Sequence, residues 1–389
     1  MAFYLILFAG LTAFGYLLCN KTKLKYRNEI FIIIAFGFLC FLSCIRYDVG
    51  FDYSYGGYIR NWKTVLKTPF SEFRTFSCEK GFILFEYFLK LFGKNYQILY
   101  IGTSILIAVL AALFIYKYAK DKVWGFFLIY GIGMYYCSMN LIRQTIASFI
   151  FAFAVPMAKK KKIIPYMLLT LLAATFHKSA LLMIPFYFVL QIKITNKVLM
   201  LYSAATAIIF ITSPYILDIV TKVWYGGYVD TIYLLYGNDW FYLITPIILF
   251  LVIYIFKDKI CEDDDRNYIY VNCAFFNLFF YIIGCRHSLV DRFTIYFEPA
   301  IIIALCILFT NLKENGKDSK LKKEKDKSKK IYIGVSALVI VAVMTINVIY
   351  LVEDGHGILP YDTIFTNEDY KLYARSLKGN SNITMEPID

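Results

Sequence analysis

Four clusters of polar residues interrupt an otherwise apolar chain, and each carries groups able to hold an anion or move a proton. Burying an unpaired charge beside lipid costs several kcal/mol, so side chains that persist there need partners or a task. The first cluster, at 44–62, holds Arg46, Asp48, Asp52, Tyr53, Tyr55, Tyr58 and Arg60, with Gly50, Gly56 and Gly57 permitting tight backbone paths. An aromatic belt at the water boundary is the competing account of the tyrosines. Three charges beside glycines, Arg46, Asp48 and Asp52, suit a shaped polar pocket. The second cluster, at 134–150, places Asn140, Arg143 and Gln144 between two apolar runs, where Arg143 either snorkels to the surface or aims its fork of donors into a cavity. The third, at 175–186, contains His177 with Lys178 and Ser179; it is either a hairpin turn or a proton acceptor near neutrality. The fourth, at 284–299, supplies Arg286, His287, Asp291, Arg292, Tyr296 and Glu298. Helical spacing puts Arg292 and Tyr296 on one face, with Glu298 deeper and expected to pair with an arginine or a hydroxyl.

Several arginines gathered at one membrane face need a ligand, and a polyanion clamped through bidentate phosphate contacts is the natural one. A lipid-linked diphosphate fits best, because its tail stays in the bilayer while its head reaches the surface. With a sugar attached, the diphosphate is also a leaving group. Glycosyl transfer then needs arginines to stabilise the departing anion, drawn from Arg46, Arg143, Arg286 and Arg292 with Asn140, Gln144 and Tyr296 beside them. It needs a base, His177 or one of Asp48, Asp52 and Asp291, to take the acceptor hydroxyl's proton. Tyr53, Tyr55 and Tyr58 are expected to stack on sugar faces. Neither a metal nor another cofactor is expected: the acidic run Asp263, Asp264 and Asp265 falls in a loop on the opposite side.

The elements that must position these groups follow from composition. Apolar residues make up 59% of the 389 positions and charged residues 18%, against roughly 25% charged in an ordinary soluble domain. Apolar runs recur from end to end at a length suited to a hydrocarbon layer of about 30 Å. They predict an all-α polytopic integral membrane protein of about twelve transmembrane helices, with spans at 2–19, 28–44, 96–116, 123–139, 141–158, 163–176, 178–192, 198–214, 239–256, 267–284, 292–310 and 331–350. The segment 82–92 is expected to lie along the interface, and the short pair 163–176 and 178–192 reads alternatively as a helix with a re-entrant piece.

Alternating these spans puts 25 of the 41 Lys and Arg into one set of short connections, which marks that set as cytoplasmic and both termini as extracytoplasmic. Arg46, Arg143, His177, Arg286 and Arg292 then share the outer side. The first span lacks a basic n-region and a small-residue cleavage site, so an uncleaved helix is expected. Residues 1–310 read as a membrane catalytic domain, 311–330 as a charged cytoplasmic linker, 331–350 as a final helix and 351–389 as an extracytoplasmic tail. The net charge of +13 comes mainly from the cytoplasmic loops and suits anionic lipid; no nucleic-acid-binding motif accompanies it. Nine cysteines show no metal-ligand spacing, and Cys78 with Cys137 is the one pair placed to test for a bridge. No internal repeat is evident, which disfavours a transporter.

The segments IRYDVGFDY (45–53), NLIRQTIASFI (140–150), FHKSAL (176–181) and DRFTIYFEP (291–299) resemble, as an ordered set, the EpsG family of bacterial polysaccharide polymerases, itself similar to Wzy-type O-antigen and capsule polymerases. The resemblance covers roughly residues 1–310. It implies a multi-pass protein of the bacterial cytoplasmic (inner) membrane that joins oligosaccharide repeat units carried on undecaprenyl diphosphate, acting at the outer face. It also implies that Arg46, Asp48, Asp52, Asn140, Arg143, Gln144, His177, Arg292 and Tyr296 belong to the active site, and that a flippase and a chain-length regulator are partners. A flippase of lipid-linked oligosaccharide, a glycan ligase and a surface-glycan acyltransferase are the alternatives.

Overall fold

The computed structural model describes residues 1–54, 57–224, 235–318 and 322–371. Among them the chain is helical, with one isolated antiparallel bridge between Arg46 and Thr363 and no strand. The helices are α1 (Ala2–Lys21), α2 (Arg27–Ile45), α3 (Phe51–Ser54), α4 (Tyr58–Lys67), α5 (Lys80–Leu89), α6 (Gln97–Tyr118), α7 (Lys122–Gly131), α8 (Met134–Asn140), α9 (Ile142–Ala152) and α10 (Val155–Lys159). They continue with α11 (Ile163–Phe176), α12 (Phe186–Val189), α13 (Asn196–Trp224), α14 (Ile244–Ile255), α15 (Lys257–Ile260), α16 (Tyr268–Gly284), α17 (Ser288–Asp291), α18 (Glu298–Asp318) and α19 (Lys322–Val352).

Six described helices are long and apolar enough to cross a membrane, and a seventh span results if Ser288–Tyr296 and Glu298–Glu314, bent by 50°, count as one. Every apolar run read from the sequence carries helix, but many are interrupted. The run 123–139 is divided between α7 and α8, 141–158 between α9 and α10, and 178–192 between a 3-10 turn at Lys178–Met183 and α12. Exposed Met200, Leu201, Ile208, Ile211 and Ile219 give α13 an apolar outer surface suited to lipid. The core lies where α7, α9, α16 and α18 bury aromatic and branched side chains, including Phe126, Tyr130, Phe151 and Phe309.

Interrupted helices leave carbonyls without intrahelical donors, and in lipid each must be satisfied by protein. Buried asparagines do this. Asn347 Nδ2 on α19 donates to the carbonyls of Tyr130 and Gly131 at the end of α7, at 3.3 and 3.2 Å. Asn272 Nδ2 on α16 caps Leu190 and Ile192 after α12, at 3.1 and 2.7 Å. Asn277 Nδ2 donates to Thr294 at 3.1 Å, inside the bend before α18. That bend replaces the continuous helix expected over 292–310: Thr294–Tyr296 is a 3-10 turn, so Arg292 and Tyr296 do not share an α-helical face.

At the opposite end from the bend, three basic loops meet the acidic run. Lys120 pairs with Asp263, Lys159 with Asp264 at 2.9 Å, and Lys193 with Asp265 at 2.6 Å. The segment read as a flexible linker is helical at both edges, since α18 runs to Asp318 and α19 starts at Lys322; 319–321 lie outside the described residues. The segment after α19 is built into the fold as well. Tyr47 N–H donates to Asp362 O at 3.0 Å, Ile364 N–H to Ile45 O at 2.9 Å, and Tyr361 Oη to Leu42 O at 2.7 Å.

Candidate active site

The loop after α2 folds back sharply, with Asp48 at φ 50° and Gly50 at φ 97°. At Gly50 an added Cβ would lie 2.1 Å from the Met139 carbonyl oxygen, so only glycine lets the loop pass this close to α8. Its N–H donates to Gly357 O at 2.6 Å and the Phe51 N–H to His356 O at 3.2 Å, which wedges the loop between α8 and the C-terminal segment. Asp52 follows, its N–H donating to Asn140 Oδ1 at 3.3 Å.

Leu141, at ψ 56°, breaks the helix between α8 and α9 and puts Arg143 in the first turn of α9. A cation there opposes the helix dipole and calls for an anion. Glu79, capping α5, supplies it: Arg143 Nη1 donates to Glu79 Oε2 at 2.5 Å and to Cys78 Sγ at 2.9 Å. Tyr58 Oη accepts from the Arg143 N–H and from Nε, both at 3.4 Å, and the guanidinium lies over the Tyr58 and Phe82 rings. Burial pushes the Glu79 carboxyl up, but Arg143 and the Lys178 N–H outweigh it and hold it below its usual range. The Lys178 N–H reaches Glu79 Oε1 at 3.1 Å, so one carboxylate ties Arg143 to the turn that follows His177.

His177 leaves α11 in an extended conformation, and its Nδ1 lies 2.6 Å from Ser179 Oγ, which is 2.7 Å from Tyr296 Oη. Burial, reinforced by Arg143, Arg292 and Lys178 against the opposing pull of Glu79, drops this imidazole to about 4. Gln144, the neighbour of Arg143, reaches the other way and donates through Nε2 to the Arg292 carbonyl at 2.6 Å. Arg292 and Arg143 both pull the Asp52 carboxyl down, yet burial prevails and leaves it raised. Guanidinium groups from two separate segments, Arg143 in α9 and Arg292 just after α17, thus bias the same carboxylate and the same imidazole.

Beyond Arg292 lies a cavity of about 260 Å³ lined by Asp291, Arg292, Glu298, Asn238, Tyr242, Tyr281, Tyr350 and His356, among others. Asn238 Nδ2 donates to Asp291 Oδ2, and Thr294 Oγ1 to Glu298 Oε1 at 3.5 Å, so Glu298 finds the hydroxyl partner expected of it. His356 Nδ1 is 3.3 Å from Asn140 Nδ2 and Nε2 is 3.5 Å from Cys137 Sγ. Burial and Arg292 lower this second imidazole to about 4 as well.

Arg143, Gln144, Asn140, Asp52, His177, Asp291, Arg292, Tyr296 and Glu298 therefore meet. Other residues expected at the site do not join them. The Arg46 guanidinium is wholly buried over the Tyr100 ring, and its three nitrogens find no hydrogen-bond partner among the described residues. Arg286 turns away to α13, donating to the carbonyls of Phe210 and Ile211 at 2.8 and 3.2 Å. Pro214 explains this: it has no N–H for the Phe210 carbonyl four residues earlier, and Arg286 supplies a donor there together with the Ser213 hydroxyl at 2.9 Å. Asp48 is exposed on the loop. Tyr53 is stacked on Tyr100 at 3.9 Å with its hydroxyl on Gln97, and Tyr58 is buried beneath Arg143, so neither ring is open to a sugar. Tyr55 lies outside the described residues. Cys78 and Cys137 are free thiols, in contact with Arg143 and His356 respectively.

Two groups escape a reading of the sequence alone. Glu79 sits in a polar loop, and its one signal is its place just before the apolar run of α5. His356 lies in the segment read as a tail.

A model of the EpsG family matches residues 29–363, which extends the likeness past the 1–310 read from motifs to include the linker, α19 and His356. No curated protein and no solved structure matches the chain. With the matched stretch running from α2 through the segment that carries His356, the chain belongs to the EpsG family.

Proposed function

We propose that this protein is a polysaccharide polymerase of the bacterial cytoplasmic membrane, a glycosyltransferase that joins oligosaccharide repeat units carried on undecaprenyl diphosphate. Its family supports the polymerase, and the apolar helices support a multi-pass membrane protein. One observation carries the site reading: Gln144, beside Arg143, donates to the Arg292 carbonyl at 2.6 Å while Glu79 ties Arg143 to the turn after His177, so both arginine-bearing segments and the histidine meet. Paired guanidinium groups beside a neutral imidazole are what transfer from a glycosyl diphosphate asks for.

In this reading Arg143 and Arg292 hold the diphosphate oxygens and stabilise the charge that builds as the bond to the anomeric carbon breaks. The bonding pair leaves on the diphosphate. The acceptor hydroxyl oxygen forms the new bond to the anomeric carbon, and its proton passes to His177. Glu79 aims Arg143, and the Ser179–Tyr296 pair aims His177. Positive charge comes from side chains, so the reaction is metal-independent. Asp52, whose carboxyl both arginines pull down, orients the sugar or shares the base's role.

The Lys–Asp face formed by Lys120, Lys159 and Lys193 is cytoplasmic in this reading, and the site faces outward with about twelve spans between. A flippase delivering substrate and a chain-length regulator would be partners. Purified protein in lipid nanodiscs, given lipid-linked repeat units, should yield a ladder differing by one unit. Translocation across a vesicle membrane without elongation would replace the polymerase by a flippase.

A further inference from the structure

The cavity beyond Arg292 differs in chemistry from the Arg143–Glu79 half of the site. It holds the carboxyl groups of half-buried Asp291 and buried Glu298, and the second Glu298 oxygen, Oε2, has no hydrogen-bond partner among the described residues. Carboxyl oxygens accept hydrogen bonds from hydroxyls, and Arg292 stands on the same wall, at the border with the diphosphate half. Donors stand opposite. The Asn238 amide reaches Asp291, and the Tyr281 and Tyr350 side chains line the wall.

His356 lines the wall too, with Nε2 3.5 Å from Cys137 Sγ, and its tautomer follows from Asn140. That side chain accepts from the Asp52 N–H through Oδ1, which leaves its Nδ2 to donate to His356 Nδ1 and places the imidazole hydrogen on Nε2. Fixed acceptors, fixed donors and aromatic faces around one space are the complement of a sugar ring, whose hydroxyls both donate and accept. A volume of about 260 Å³ far exceeds the roughly 10–15 Å³ that one water requires.

We propose that this cavity is the acceptor subsite, binding the uncharged terminal sugar of the incoming repeat unit between the Asp291 and Glu298 carboxyl groups, the Asn238 amide and the faces of His356, Tyr281 and Tyr350. The proposal rests on the polymerase reading and assigns the two substrates to separate halves: diphosphate to Arg143, acceptor sugar to the wall closed by the C-terminal segment. Asn140 joins the halves, because one amide contacts both Asp52 and His356.

The test uses the full-length protein in nanodiscs and two probes. One is undecaprenyl diphosphate alone. The other is the free oligosaccharide repeat unit, released by mild acid from lipid-linked intermediates of the producing cells. Calorimetry should show Glu298→Gln and His356→Phe weakening oligosaccharide binding at least tenfold, with undecaprenyl diphosphate affinity within twofold of the parent. Arg143→Ala should do the reverse. If Glu298→Gln fails to give a monodisperse, cooperatively melting protein, His356→Phe and Asn238→Ala carry the same comparison. Oligosaccharide affinity unchanged in these variants, loss of both ligands together, or a parent protein that binds no oligosaccharide would each overturn the subsite. A parent that binds both probes yet never elongates lipid-linked units would instead remove the polymerase and leave the sugar pocket standing.

Discussion

Arg143 and Glu79, 64 residues apart in the chain, meet at 2.5 Å with their side chains 28% and 14% exposed. The free oxygen of the same carboxylate receives the Lys178 N–H, so the pair sets the distance between a guanidinium and the His177 turn. Replacing Arg143 by Ala should lower elongation by about 10²–10³-fold, the usual scale for removing one stabilising donor. Arg143→Lys should recover only part of this, because a point charge cannot reproduce the fork. Glu79→Gln keeps an acceptor but frees the arginine, and should lower kcat more than it raises KM. Elongation assays on protein normalised for membrane content check all three, and parental rates for Arg143→Ala would remove it from the clamp.

His177 and His356 both titrate near 4, below the ordinary histidine value of 6.5. The unfolded chain therefore binds more protons than the folded one between those values. Stability is whole above about pH 6.5 and declines as pH falls toward 4. Melting temperature should drop on going from pH 7 to pH 5, and the slope should be shallower in His177→Gln and in His356→Gln.

Kinetics should carry a second signature of His177. Bound diphosphate would offset Arg143 and Arg292, two of the charges that depress this imidazole. The acid limb of kcat, which reports the substrate complex, should then lie at higher pH than the acid limb of kcat/KM, which reports the free enzyme near 4. Coincident limbs would mean the diphosphate is not held beside His177.

Arg286 should behave as a structural residue. Losing its hydrogen bonds to α13 should cost about 1.5–3 kcal/mol, the range for bonds to a charged group, with diphosphate affinity unchanged. Pro214→Ala restores an N–H for the Phe210 carbonyl, so Arg286→Ala should cost less in that background. Additive losses in the double-mutant cycle would break the proposed link.

Sidedness is testable by thiol labelling in a cysteine-free background. Asp48→Cys should react with an impermeant maleimide on intact cells, whereas Asp264→Cys, on the face where Lys159 is paired, should react only after permeabilisation. The opposite pattern would invert the protein in the membrane.

Apolar periodicity made the helical segments readable, because a run such as 97–118 has no other soluble or membrane fate. Interruptions were harder to read, since what permits them is remote. The break after Gly131 depends on Asn347, and the proline inside α13 on Arg286. Charge-derived topology grouped Arg46, Arg143, His177, Arg286 and Arg292 on one side, and in the structure the segments that carry Arg143, His177 and Arg292 meet. It assigned Tyr53, Tyr58 and Arg46 to open positions because sequence gives a residue's depth in the bilayer more readily than the direction its side chain faces. Glu79 and His356 were missed for a related reason: both lie in polar connections, where a charge needs no explanation until a helix end is seen against it.

Tyr4 Oη donates to the carbonyl of Ile358, 354 residues away, beside the bridge of Arg46 to Thr363. The 46–54 loop is thus fastened from two directions, by α1 through Ile358 and by the Gly357 and His356 carbonyls that receive the Gly50 and Phe51 N–H groups. Loosening the Tyr4 contact, far from any charged group of the site, should therefore be felt at Asp52 through the backbone that carries it.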